Sequence, residues 1–192
     1  MTQSIERVEN LKRIEGMSAR RLQLLDMLLA GKKRPSSESG KIPKAMRQAQ
    51  PWSFTTSFAQ QRLWFLDQLE PESGLYNIHF AFRAAGLLNI ESLRQSIDEI
   101  VNRHEALRTT FSDTDGKPIQ IISVSLPPSF NVVDLGGLSE AKASEAARDL
   151  AIAEADRPFN LSTGPLIRFA ELKLSEYGQW LLLTVQHVIW DG

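Results

Sequence analysis

Two residues near the end of the chain, His187 and Asp191, have side chains that could support acid–base chemistry and lie four residues apart. Residues 180–185 directly before them are apolar and β-branched, as is typical of a buried strand. Alternate side chains of a strand share a face, so His187 would end an apolar row. Such surroundings favour a neutral imidazole, which can accept a proton from an attacking nucleophile. A hydrogen-bonded core histidine beside a turn acid has the same spacing, so the pair alone leaves both interpretations open.

The composition is that of an ordinary globular protein. The chain has 192 residues, of which 42% are hydrophobic and 23% charged, which suits one domain with a core. No apolar run approaches the length of a membrane span and no signal core begins the chain, so we expect a cytoplasmic location and no membrane partner. The absence of cysteine excludes disulfides, thiolate zinc sites and cysteine nucleophiles. The three histidines are far apart in the sequence, so no metal site is expected.

The charges divide the chain into a basic leader and an acidic body. Residues 1–50 contain 11 lysines and arginines against 5 acidic residues, whereas residues 51–192 contain 11 against 18. The basic residues of the leader are not interleaved with aromatic residues, so no nucleic-acid partner is expected. Residues 1–31 contain two short amphipathic patterns, and helices this short need a surface to pack on. We interpret residues 1–31 as a helical docking element, which packs either on its own domain or on an upstream protein, and residues 32–50 as a flexible basic linker.

From residue 51 onward, helix and strand patterns alternate. Helices are predicted behind a capping serine or asparagine, over residues 57–69, 89–104 and 139–155. Strands are predicted over residues 75–85, 107–111, 118–124, 130–133, 165–174 and 179–186, and the last two form a hairpin. The expected fold is a layered α/β (α+β) lobe, in which helices pack on one side of a mixed sheet.

Three segments together are far more specific than the spacing of His187 and Asp191. They are residues 57–69 (SFAQQRLWFLDQL), 103–111 (RHEALRTTF) and 186–192 (QHVIWDG). In this order they resemble the motifs of the condensation domains of nonribosomal peptide synthetases. The first two match that family almost letter for letter, and the third is similar to its His-His-x-x-x-Asp-Gly signature. The resemblance covers about residues 51–192.

The resemblance implies a fold like chloramphenicol acetyltransferase, with two α/β lobes and an active site in the channel between them. Residues 51–192 would be the N-terminal lobe, so we expect a domain that is truncated at Gly192, lacks its C-terminal lobe and is inactive alone. The implied reaction forms an amide bond between a carrier-bound acyl or peptidyl thioester and the amine of a carrier-bound aminoacyl thioester. Phosphopantetheine-bearing carrier proteins are the implied partners, and no separate cofactor is needed. Residues 1–31 also resemble the short helix that often precedes such domains, which favours docking to an upstream synthase subunit.

The resemblance also implies roles for individual residues. His187 corresponds to the catalytic histidine of the motif, which would accept the proton of the attacking amine or orient that amine. Asp191 corresponds to the motif aspartate, whose implied role is structural, and Arg62 is its expected ion-pair partner. Gly192 corresponds to the motif glycine, which leaves room for the backbone and the substrate.

Two positions depart from the family pattern. Gln186 stands where the first histidine of the motif is usual, and we expect it to have a structural role, since an amide can replace the hydrogen bonds of an imidazole. Trp190 stands where a small residue is usual, and its indole is expected to narrow the channel or alter substrate choice. The other prominent side chains of the motifs are expected to be scaffold: Trp64, Phe65, His104, Glu105 and Arg108.

Other functions are compatible with these residues. A non-catalytic condensation-like module would recruit carrier proteins or partner enzymes, with Gln186 and Trp190 as signs of decay. A free-standing acyltransferase of the same fold would also use the histidine and aspartate, although the first two motifs fit it poorly. An ester-forming or epimerising relative is a further alternative.

Overall fold

The computed structural model describes residues 51–84, 86, 88–174 and 178–191. The predictions for residues 1–31, for the linker 32–50 and for Gly192 therefore lie outside the described residues. Within the described part of the chain, no helix is long and apolar enough to cross a membrane.

Apart from β1 and two 3₁₀ turns, which were not predicted, the elements follow one another in the predicted order. They are β1 (Trp52–Thr55), α1 (Phe58–Leu69), β2 (Asn77–Ala84), α2 (Ile90–Arg103), a 3₁₀ turn (Glu105–Arg108), β3 (Thr109–Thr114), β4 (Lys117–Ile122), β5 (Ser129–Asp134), α3 (Glu140–Asp156), β6 (Ile167–Lys173), β7 (Gln179–Gln186) and a second 3₁₀ turn (His187–Ile189). The three predicted helices are confirmed to within about a residue. The strand predicted over 107–111 is wrong at its start, because residues 107 and 108 belong to the first 3₁₀ turn.

Local hydrogen bonds explain why two of the helices begin where predicted. The hydroxyl of Ser57 accepts from the Gln60 backbone amide, and the Gln60 side chain accepts from the Ser57 amide, which forms a capping box at α1. The side chain of Asn89 accepts from the Ser92 amide at 2.9 Å and caps α2 in the same way. Ser139 precedes α3 but makes no such side-chain bond.

Within the described residues the strands form two sheets rather than the single expected sheet. One has the order β1-β4-β3 and the other the order β2-β7-β6-β5. Strands β5 and β6 are parallel, whereas β7 is antiparallel to both β2 and β6, so the four-stranded sheet is mixed as predicted. A parallel pair needs a crossover connection, and α3 lies in the crossover between β5 and β6.

Helices cover both faces of the four-stranded sheet, which corrects the expectation of helices on one side. Helix α2 packs Ile97 and Val101 against Val185 of β7. Helix α3 packs Ala143 and Ala147 into a different cluster, which contains Leu182 of β7. Because residues 182 and 185 of one strand point in opposite directions, the two helices lie on opposite faces.

A buried arginine attaches the C-terminal end of α3 to β6. The guanidinium of Arg168 lies 2.6 Å from the Glu154 carboxylate and donates to the carbonyls of Glu154, Arg157 and Pro158. It also stacks over the Phe159 ring at 3.7 Å. Burial lowers the pKa of Arg168, and the bond to Glu154 opposes that shift. The Glu154 carbonyl belongs to the last turn of α3, where backbone carbonyls lack partners within the helix.

Candidate active site

His187 directly follows β7, which is an interior strand of the four-stranded sheet. Its backbone amide donates to the Tyr76 carbonyl at 2.9 Å, one residue beyond the last pair of the β2–β7 ladder, Asn77 and Gln186. The 3₁₀ turn then begins, and the Trp190 amide donates to the His187 carbonyl at 3.3 Å. The backbone of His187 is therefore held by the sheet on one side and by the turn on the other.

The turn also determines which nitrogen of the imidazole carries a proton. The Nδ1 atom of His187 lies 2.6 Å from the carbonyl oxygen of Trp190. A carbonyl oxygen can only accept, so Nδ1 must donate and carries the hydrogen in the neutral ring. The lone pair is therefore on Nε2, which is the nitrogen available to take a proton.

Gln186 is 4% exposed and caps the turn that contains His187. Its side-chain oxygen accepts from the Val188 amide at 2.7 Å, and its backbone amide donates to the Leu166 carbonyl at 3.0 Å. The side chain thus provides an acceptor for the Val188 amide, which lies too early in the turn to bond to a carbonyl of the turn itself.

A cavity of about 270 Å³ lies beside His187 and brings all three sequence motifs together. The first motif supplies the N-terminal end of α1, and the second supplies the start of the 3₁₀ turn before β3 together with the first residue of that strand. The residues that line the cavity are Ser57, Ala59, Gln60, Leu63, Ala106, Thr109, Gln120, His187, Val188, Ile189, Trp190 and Asp191. Apart from His187 and Asp191, these side chains are uncharged.

Sequence reasoning missed several of these lining residues. In the second motif it gave a role only to His104, Glu105 and Arg108, as scaffold, whereas Ala106 and Thr109 line the cavity. It did not single out Gln120, which lies on β4 outside the three motifs and has no local signal that could have identified it. Strand pairing brings Gln120 opposite Phe54 of β1, close to the N-terminal end of α1.

The expected ion pair between Arg62 and Asp191 is not present in the described part of the chain. Both residues are exposed. On α1 the side chains that face the cavity are Ala59, Gln60 and Leu63. Arg62 lies on the same helix but does not line the cavity.

Trp190 is 38% exposed and lines the cavity together with His187. Gly192, the last residue of the motif, lies outside the described residues.

The remaining motif residues are part of the scaffold. Trp64 and Phe65 are 3% and 6% exposed in the core, as predicted. The buried guanidinium of Arg108 donates to the carbonyls of Val101, Asn102, Ser123 and Val124, so the partners that the structure gives it are backbone oxygens. His104 is exposed at the end of α2, and its amide donates to the Ile100 carbonyl.

A second cavity has a volume of about 180 Å³. It is lined by Leu66, Asp67, Leu69, Glu70, Ser73, Leu75, Tyr76 and Gln186. Burial raises the pKa of Asp67 to about 6, and the hydrogen bond from the Gln68 amide partly opposes this shift. Among the described residues, no group of three or more histidine, aspartate or glutamate side chains could hold a metal ion.

Comparison with known proteins agrees with this architecture. The family model described as the Condensation domain matches residues 52–192. A linear gramicidin synthase of Brevibacillus parabrevis is 47% identical over 136 residues, which are 71% of this chain and 2% of that protein. Phosphinothricin tripeptide synthetase PhsC of Streptomyces viridochromogenes is 41% identical over 136 residues, 71% of this chain and 12% of that protein. The crystal structure of the starter condensation domain of rhizomide synthetase RzmA matches with a TM-score of 0.67 and 27% identity, over 73% of this chain and 34% of that chain.

The fold is therefore that of the chloramphenicol acetyltransferase-like proteins, in which condensation domains are grouped. The chain belongs to the condensation domain family of nonribosomal peptide synthetases. It spans 2–12% of the length of the two curated relatives and about a third of the solved domain.

Proposed function

We propose that the chain is the donor-side lobe of a condensation domain that joins a carrier-bound acyl or peptidyl thioester to the amine of a carrier-bound aminoacyl thioester. The observation that carries this proposal is the position of His187, whose unprotonated Nε2 belongs to a ring that borders the cavity where all three motifs meet. The chemistry needs an imidazole that can accept a proton from an amine, and the Nδ1–H tautomer has that property.

In the proposed reaction, the amine nitrogen attacks the thioester carbonyl carbon, the new C–N bond forms and the C–S bond breaks. The amine proton passes to Nε2 of His187, and the leaving sulfur then takes that proton from His187 and departs as the thiol, which restores the neutral imidazole. The carbonyl of Trp190 holds Nδ1 throughout and stabilises the positive charge that develops on the ring. Because the thioester is already activated, holding the two substrates together contributes much of the rate.

The geometry of the cavity supports roles for two further residues. Asp191 and Trp190 both line it, so the indole would narrow the space beside His187 and thereby influence which substrates fit. We assign to Asp191 and Gly192 a structural role in the loop that follows His187. Arg62 lies on the exposed side of α1. A role for Asp191 in the loop would use a partner other than Arg62.

The proposed partners follow from the same chemistry. Both substrates would arrive on the phosphopantetheine arms of carrier proteins, so the domain would use no separate cofactor. We further propose that residues 1–31 dock to an upstream synthase subunit, that residues 32–50 link them to the lobe, and that the protein acts in the cytoplasm. The chain alone would be inactive, because a channel between two lobes needs the C-terminal lobe.

The experiment uses a protein in which this chain continues through a complete C-terminal lobe. Donor- and acceptor-loaded carrier proteins are supplied, and the condensed thioester is followed by intact mass. We expect product from the unaltered protein and at least a hundredfold slower formation with His187→Ala, in line with the loss of a general base. His79→Ala is the matched control, since that histidine is exposed on β2 and does not line the cavity.

The outcomes separate the proposal from its alternative. Product that persists at an unchanged rate in His187→Ala would refute the assigned role of the imidazole. No product from a folded protein with a range of loaded carriers would favour a non-catalytic module that recruits carrier proteins or partner enzymes. The replacement at Gln186 and the bulky Trp190 are the observations that favour this alternative.

A further inference from the structure

The side chain of Gln186 makes a contact that the proposed reaction does not use directly. It ends β7 with its amide group buried, and its oxygen accepts from the Val188 amide at 2.7 Å. We propose that Gln186 is a positioning residue that keeps His187 in the Nδ1–H tautomer, so that Nε2 remains the basic nitrogen. The kinetic consequence rests on the proposed function, whereas the tautomer itself does not.

The contacts form a short chain from Gln186 to the imidazole. The Gln186 oxygen holds Val188, which is the middle residue of the 3₁₀ turn. The turn places the Trp190 amide on the His187 carbonyl and the Trp190 carbonyl on Nδ1. Without an acceptor on residue 186, the buried Val188 amide would lose its partner and the turn would move to find another. Movement of the turn would withdraw the Trp190 carbonyl from Nδ1 and free the ring to exchange tautomers.

An amide at this position has a property that an imidazole lacks. A histidine side chain accepts a hydrogen bond only through its unprotonated nitrogen and loses that acceptor when it becomes charged. The oxygen of Gln186 accepts at every pH, so the cap on Val188 persists while His187 takes up a proton. The glutamine also adds no second positive charge beside a protonated His187.

Few charged groups face this part of the structure. On the His187 side the cavity contains the Asp191 carboxylate, and α1, β3 and β4 present only uncharged side chains there. On the Gln186 side the second cavity contains Asp67, Glu70 and Tyr76. Asp67 is the one that could confuse a pH titration, because burial raises its pKa to about 6. Asp67→Asn therefore serves as the background in which the ¹⁵N measurements described next are repeated.

The test compares two variants of similar side-chain length, Gln186→Met, which lacks an acceptor, and Gln186→Glu, which keeps one. In the 192-residue chain, the ¹⁵N shifts of the His187 ring, measured at a pH where the imidazole is neutral, report the tautomer directly. We expect the Nδ1–H form in the unaltered chain and in Gln186→Glu, and a mixture of both tautomers in Gln186→Met. Thermal unfolding of each variant is recorded alongside, since a merely structural role would lower stability and leave the tautomer unchanged.

In the protein that carries a complete domain, we expect Gln186→Met to lower kcat about tenfold with little change in KM, as expected from the loss of one well-placed hydrogen bond. Retention of the Nδ1–H tautomer in Gln186→Met would overturn the proposal even if activity fell. A shift of tautomer without a change in kcat would uphold the positioning by Gln186 and count against His187 as the base.

A second measurement applies if Gln186→Met does not fold. The unaltered chain must then show a scalar coupling across the hydrogen bond from the Val188 amide to the Gln186 side-chain carbonyl. Absence of that coupling, or an Nε2–H tautomer in the unaltered chain, would overturn the proposal.

Discussion

Replacement of Glu171 by glutamine should stabilise the protein at neutral and alkaline pH. Glu171 lies on β6 between Leu181 of β7 and Val132 of β5, and its side chain is completely buried. Neither carboxylate oxygen has a hydrogen-bond partner. Burial raises the pKa of Glu171 above its ordinary value of 4.5, and the positive charges of Lys173 and Arg94 only partly oppose that shift.

The size of the effect follows from the proton that the folded chain retains. Glutamine keeps the shape of the side chain but cannot ionise. Because the folded-state pKa is raised, the folded chain binds the proton more tightly than the unfolded chain, and its stability falls as pH rises above 4.5. The fall is at most about 1.36 kcal/mol per pH unit and stops above the folded-state pKa. At pH 7.5 the limit is therefore about 4 kcal/mol, and we expect the variant to be more stable than the unaltered chain by up to that amount.

Urea unfolding of the unaltered chain and of Glu171→Gln, at several pH values from 5 to 8, would measure this difference. The two free energies of unfolding should be similar at pH 5 and diverge as pH rises. Glu145→Gln is the matched control, since it removes one carboxylate from the exposed side of α3. If the difference between Glu171→Gln and the unaltered chain stays constant over this range, the carboxylate is solvated or paired in solution and the reasoning is wrong.

Two further predictions concern the scaffold and the surface. Arg168→Ala should lower the free energy of unfolding by about 3 kcal/mol, because three carbonyls lose their donor and the Glu154 carboxylate keeps only the more exposed Arg157, 3.0 Å away. A loss below about 1 kcal/mol in urea unfolding would contradict this. Phe80 and Phe82 of β2 are 40% and 51% exposed, and their ring centroids lie 6.0 Å apart, so the two rings form an exposed apolar patch. Replacing both with serine should reduce the fluorescence of a bound hydrophobic dye by about twofold. Ile152→Ser, which removes a single exposed apolar residue from α3, is the control, and equal dye binding by all three proteins would refute the assignment of an apolar patch.

Much of the secondary structure could be predicted because its causes are local. The capping bonds of Ser57 and Asn89 join residues three positions apart, so they are visible in the sequence as a serine or asparagine before an apolar pattern. The apolar and β-branched run of residues 180–185 likewise predicts β7 and places His187 after its end. The motifs were sufficient to indicate the family, which the match over residues 52–192 confirms.

The arrangement of these elements depended on contacts between distant residues. The presence of α2 and α3 on opposite faces of one sheet follows from which strands pair, and β5 and β6 pair across the whole of α3. In the other sheet, the long-range pairing of β1 with β4 places Gln120 in the wall of the cavity. No pattern within a few residues of Gln120 carries that information.

The sequence by itself therefore determined the caps, the strand that presents His187 and the family, because each depends on residues that are near one another in the chain. Only the tertiary structure decided that Arg62 and Asp191 form no ion pair in the described part of the chain, that the Glu171 carboxylate is buried there with no hydrogen-bond partner, and that the Trp190 carbonyl meets Nδ1 of His187. The physical reason is that a side chain's partners, its exposure and its tautomer are set by the elements that pack around it, and these elements are brought together only when the sheets have formed.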